Sequence, residues 1–169
     1  MNAIPHDLAR AQTLHARILH AHAELRRAER DLALLLAEMA DSKLFVTLGY
    51  ASLRDYGEQV LHLSPRKTRG LAHLGRCLPD LPELDTALAS GDLGWTKARE
   101  LLSVATPETE AAWVEVARDS TSRELERLVA THRPGEEPTH DPLGEDEYVR
   151  LVFDRMHRVD AELVRTAII

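Results

Sequence analysis

Four basic residues and two histidines crowd into one stretch of an otherwise acidic chain. Arg66, Lys67, Arg69 and Arg76, with His62 and His73, lie between Glu58 and Asp80, and no Asp or Glu interrupts them. The formal charge of the whole 169-residue chain is -7. On a helix, spacings of three and four put Arg66, Arg69, His73 and Arg76 on one face. A cationic helix face does electrostatic chemistry: it meets phosphate oxygens and, from within a groove, base edges. Arg66, Lys67, Arg69, His73 and Arg76 are therefore the candidate DNA-binding residues. Leu71, Leu74 and Leu78 fall on a different face, suited to burial. The competing reading is a solvated face of an ordinary helical bundle.

Other reactive residue types form no constellation. His15 and His22 are separated by two helical turns, about 10 Å, too far to share one ion. His20 has no partner three or four positions away, and there is no HExxH. A metal site and a cofactor are not expected. Cys77 is the one cysteine, so an intrachain disulfide is excluded, and it reads as a small buried residue rather than a nucleophile. Glu108 and Glu110 sit beside a predicted helix N-terminus, where a carboxylate favours the dipole. Trp95 and Trp113 read as core residues. With no phosphate loop or nucleophile elbow either, no catalytic residue is assigned, and the chain alone is expected to lack nuclease activity.

The elements that must position the basic face are legible from caps and breakers. Ser64 followed by Pro65 is a strong helix start, and that helix ends before Pro79. Ser52 caps a shorter helix running through Val60. Helix, short turn and basic amphipathic helix make the outline of a helix-turn-helix. Upstream, Ala11, Leu14, Ile18, Ala21, Leu25, Ala28, Leu32, Leu35 and Met39 form an a/d seam on a helix from about Asp7 to Met39. That seam is expected to be buried, against the rest of the chain or across a homodimer. Gly49 is expected to cap a helix C-terminus. Downstream helices are expected from Pro82 to Ser90-Gly91, from Trp95 to Ala105, from Thr106-Pro107 to Arg118, and from the capping box Thr121-Ser122-Arg123-Glu124 to about His132.

The fold class is therefore all-α: a multi-helix bundle with a long N-terminal helix, a helix-turn-helix-like unit and, at most, a short C-terminal strand. Four regions are expected. Residues 1–48 hold the long helix and its connection, and residues 49–132 the helical core. Residues 133–147 form a linker rich in proline, glycine and acids. Residues 148–169 hold a strand over Tyr148–Phe153 and then a helix, and read as the start of a truncated C-terminal region. Hydrophobic content of 44% with 29% charged residues suits a globular chain. The N-terminus has no signal-peptide pattern, and the apolar run Leu32–Ala37 is too short to span a bilayer. A cytoplasmic protein without a membrane partner is expected.

A resemblance extends this reading. Gly49-Tyr50 with Ser52, Leu63-Ser64-Pro65-Arg66, Leu81-Pro82, Ala87-Leu88 then Gly91, Ala105-Thr106-Pro107-Glu108 and Glu124-Leu125-Glu126 carry it. The segment from Leu48 to Ala130 resembles the helical domain of unknown function that precedes the nuclease in many bacterial HNH endonuclease-like proteins. The basic helix and the segment after it are, more weakly, similar to the ParB-type helix-turn-helix. The resemblance implies a DNA-binding or DNA-positioning module. It carries over no catalytic residue, because the chain stops at Ile169 without the nuclease motif. The alternative is a helical protein-protein interaction or dimerisation module with no nucleic-acid role.

Overall fold

Proline at one end and a left-handed residue at the other bound the first helix, α1 (Pro5–Ser42), about 57 Å long at 1.5 Å per residue. The break falls at Lys43, whose φ of 56° ends the helix and starts the single turn α2 (Leu44–Thr47). The computed structural model describes residues 5–139, and these, through Pro138, belong to one compact unit. The strand expected at Tyr148–Phe153, the helix after Arg155 and the second half of the expected linker lie outside the described residues.

Six further α-helices come next: α3 (Leu53–Gln59), α4 (Pro65–Cys77), α5 (Pro82–Ser90), α6 (Trp95–Leu101), α7 (Glu110–Asp119) and α8 (Ser122–Ala130). A 3₁₀ turn, Leu78–Asp80, links α4 to α5. No strand occurs among the described residues. The caps arise from local chemistry. Ser52 accepts from Asp55 N, and Ser64 accepts from Lys67 N with Pro65 behind it. Thr121 and Glu124 close a reciprocal capping box. Gly91 ends α5 at φ 84°.

Three boundaries differ from expectation. Helix α6 stops at Leu101 and continues as turns rather than reaching Ala105. Thr106-Pro107 opens a turn closed by Thr109, and α7 begins only at Glu110. The expected linker from residue 133 starts as docked structure: Trp113 Nε1 donates to Glu136 O at 2.8 Å, and Gly135 N donates to Val104 O at 2.9 Å.

The core gathers Leu71, Ala72 and Leu74 of α4, Leu84 and Leu88 of α5, Leu101 of α6, Trp113 of α7 and Leu125 of α8. Helix α1 packs mainly on α4, and does so through Ala33, Leu36 and Ala37. Of the two burials expected for the a/d seam, the described residues do not supply the one within the chain: Leu14, Ile18, Leu25 and Leu35 are 54 to 62% exposed, while Leu32 packs partly against the core. The reason is backbone approach. A Cβ built on Gly75 would stand 2.2 Å from the Ala33 carbonyl oxygen and 2.9 Å from the Ala37 Cβ. Only small residues allow two helices this close, so Ala33 and Ala37, with Leu36 beside them, face inward in place of most of the a/d seam.

Glu110 also departs from expectation. It is only 2% exposed, and its Oε2 accepts from Leu84 N at 3.0 Å. Helix α5 begins at Leu81-Pro82 without a side-chain cap of its own, so α7 supplies the missing acceptor. Glu108 remains outside, its carboxyl held below the ordinary value by the Thr106 hydroxyl and its own backbone N–H.

Two stability outcomes are expected. Gly75→Ala forces α4 away from α1 and should cost about 1–3 kcal/mol or more, read as a lower urea midpoint. Glu110→Ala orphans the buried Leu84 N–H and should cost about 1–3 kcal/mol, whereas exposed Glu108→Ala should stay within about 0.5 kcal/mol of the parent.

Candidate nucleic-acid interface

The turn between α3 and α4 is short because its residues adopt special backbone conformations. His62 takes a left-handed φ of 53°, and Leu63 N donates to Gly57 O. Gly57 then lets α3 lie against α4: a Cβ there would stand 2.3 Å from Thr68 Oγ1. Thr68 is buried, and its hydroxyl donates back to Ser64 O. Glycine also governs the next contact of α4, where a Cβ on Gly70 would stand 2.4 Å from the Trp95 ring. Trp95 is half-buried rather than central, with the Arg99 guanidinium 5.9 Å from its ring centre. Trp113 is fully buried. With its apolar side fixed by Leu71, Ala72 and Leu74, α4 turns Arg66, Arg69, His73 and Arg76 outward together, and all four are exposed.

The fifth expected residue, Lys67, leaves this face. It is half-buried, and its Nζ lies 2.7 Å from Glu29 Oε1 on α1. Arg76 is exposed but reaches Asp41 of α1, again at 2.7 Å. The acid-free window is therefore acid-free only along the chain; α1 brings two carboxylates to its flank. Among the described residues, Arg66 and Arg69 have no ion-pair partner. His73 stands beside Cys77, its ring nitrogens 3.9 Å from the sulfur. Cys77 is half-buried, and burial, with the Asp80 charge second, pushes its thiol up, away from the thiolate form.

A residue outside the basic window joins the site. Arg54, near the start of α3, lines a groove of about 230 Å³ with Ser52, Arg69 and Arg76. It pairs with Glu58 one turn on, at 3.2 Å. Its place could have been read from the helix-turn-helix outline, because the N-terminus of the first helix abuts the second.

The arginines of α1 play a different part. Arg26 Nη1 donates to Gly91 O and Asp92 O, at 3.0 and 2.8 Å. Arg27 donates to Ala89 O and Ser90 O. Together they satisfy the open carbonyls at the C-terminus of α5. Arg30 makes a two-pronged pair with Asp85, both bonds 2.7 Å, which raises the guanidinium further above its already high value. Lys97 likewise reaches Ala117 O at the end of α7, and burial, then the Arg26 charge, pushes its ammonium down.

Among the described residues no three His, Cys, Asp or Glu side chains converge as metal ligands, and no helix is long and apolar enough to cross a membrane. Fold and site define a class: a unit that is all-helical over the described residues and displays a cationic face on α4. No family model, curated protein or solved structure matches the chain.

Arg26→Ala with Arg27→Ala should therefore lower unfolding stability by about 1–3 kcal/mol, measured by urea titration, because carbonyls that charged donors satisfied are left open. A parent-like midpoint would mean that water replaces these donors without loss.

Proposed function

We propose that this chain is a DNA-positioning module that lays α4 against duplex DNA through Arg66 and Arg69, with Arg54 and Arg76 beside them. The observation that carries the reading is that Arg66 and Arg69 lie one turn apart, exposed and, among the described residues, without carboxylate partners, on the outward face of the second helix of a helix-turn-helix. Residues at the N-terminal end of such a helix are the ones that reach into a groove. The likeness to the helical domain preceding HNH nucleases supports the same role, that of the part which places a nuclease on its substrate.

Affinity is modest in this reading. The chain is acidic overall, and Lys67 and Arg76 must each release a carboxylate before meeting a phosphate. With two free cations, log K against log salt should slope at about −2, taking roughly −0.9 per phosphate contact. Arg66→Ala with Arg69→Ala should remove nearly all of that slope and most of the binding. The pair Arg123→Ala with Arg127→Ala, on the exposed side of α8, should leave both unchanged. Fluorescence anisotropy on a labelled duplex across a salt series reads all three. No binding at low salt, or an equal loss from the α8 pair, would overturn the proposal.

The second reading, a helical interaction module, is favoured by one specific observation: the apolar a/d stripe of α1 stands exposed.

A further inference from the structure

Among the described residues, the first half of α1 buries no side chain. Every described side chain from Asp7 to His22 is exposed, including Leu8, Leu14, Ile18 and Leu19. An isolated helix of this length is marginal in water, and its stability ordinarily comes from packing an apolar face. The exposed stripe continues past the point where the domain begins, through Leu25, Ala28 and Leu35, because the domain covers a different face, that of Ala33, Leu36 and Ala37.

The charges flanking the stripe select the occupant. With Ala11, Ile18, Leu25, Leu32 and Met39 at a, and Leu14, Ala21, Ala28 and Leu35 at d, the positions just before each a residue are Arg10, Arg17, Glu24, Asp31 and Glu38. This edge is basic in its first half and acidic in its second. Glu24 and Asp31 pair locally with Arg27 and Arg30, while Glu38 has no ion-pair partner among the described residues. A parallel pair would lay each half beside the same half of the second copy. An antiparallel pair lays Arg10 and Arg17 of each copy beside Glu38 and Asp31 of the other. The same register sets Leu14 opposite Leu32, Ile18 opposite Ala28, and Ala21 opposite Leu25, matching large residues mostly to small ones.

We infer that α1 pairs antiparallel with α1 of a second copy of this chain, through the stripe from Ala11 to Leu35. This inference stands apart from the DNA reading, since it uses the largely exposed stripe of α1 and none of the cations of α4.

Sedimentation of the full chain at about 100 μM, where a dimer with a Kd of ~10 μM is mostly formed, should give twice the 18.9 kDa chain mass. Leu25→Asp should return it to one chain mass with an unchanged helical spectrum, because Leu25 is already 60% exposed in the single chain. Orientation is read by oxidative cross-linking in a Cys77→Ser background. The double variant Leu14→Cys, Leu32→Cys should cross-link efficiently, and Leu14→Cys alone should not. Arg17→Glu should weaken the dimer, and adding Asp31→Arg should restore it. One chain mass at every concentration overturns the inference. Efficient self-cross-linking of Leu14→Cys overturns the antiparallel arrangement, as does a dimer indifferent to Leu25→Asp.

Discussion

Where α4 crosses α1 there is no space for a side chain. Gly75 meets the Ala33 carbonyl, and Ala37 closes the other side of the contact. Because the two backbones come this near, α1 must present Ala33 and Ala37 at the crossing, with Leu36 beside them, which leaves Leu14, Ile18, Leu25 and Leu35 outside. Because α4 is pinned on this side by α1, on another by Trp95 against Gly70 and on a third by Thr68 against Gly57, only one face of it remains for solvent. The cations lie on that face. Three close glycine contacts thus fix which face of α4 turns to solvent, while the helix period sets the spacing of Arg66, Arg69, His73 and Arg76 along it.

The polar contacts around this crossing join elements distant in sequence. Arg26 and Arg27 close the end of α5, Arg30 holds Asp85 on the same helix, and Glu110 closes the start of α5 from α7. Helix α5 is only 9 residues long and has no side-chain cap of its own at its N-terminus, so its polar termini depend on neighbours. Arg26, Arg27 and Arg30 of α1 accordingly serve structure. Sequence counting alone would have grouped them with the basic residues of α4.

What was legible in the sequence was local. Ser52, Ser64 with Pro65, Gly91 and the Thr121–Glu124 box each act within one turn, so residue type and spacing suffice, and the helices they start or stop lie where they were expected. Lys43 was not legible as a helix end, because a left-handed lysine carries no compositional mark. The choice of inward face on α1 was not legible either. Periodicity reports how strongly a stripe is apolar, whereas the contact was decided by how small the opposing residues are. At the basic face the exposure of four residues followed from the helix period alone. The pairing of Lys67 with Glu29 and of Arg76 with Asp41 spans 38 and 35 positions, beyond any local pattern.

Those two ion pairs divide the labour among the cations. Lys67 and Glu29 are about a third and a quarter exposed, so breaking them leaves two partly desolvated charges; Arg76 and Asp41 are each about half exposed or more, and water can replace either partner. Lys67 therefore belongs to the α1–α4 contact, while Arg76 can exchange its carboxylate for another anion at little cost. Arg54 stands in a similar position, itself exposed and paired with half-buried Glu58 one turn away. A phosphate entering the groove beside Ser52 would meet Arg69 free, and Arg54 and Arg76 held only by weak surface pairs. The electrostatic field of the face shared by α3 and α4 is in this way graded by burial: among the described residues two arginines are unopposed, two are opposed weakly, and one lysine is given over to the fold.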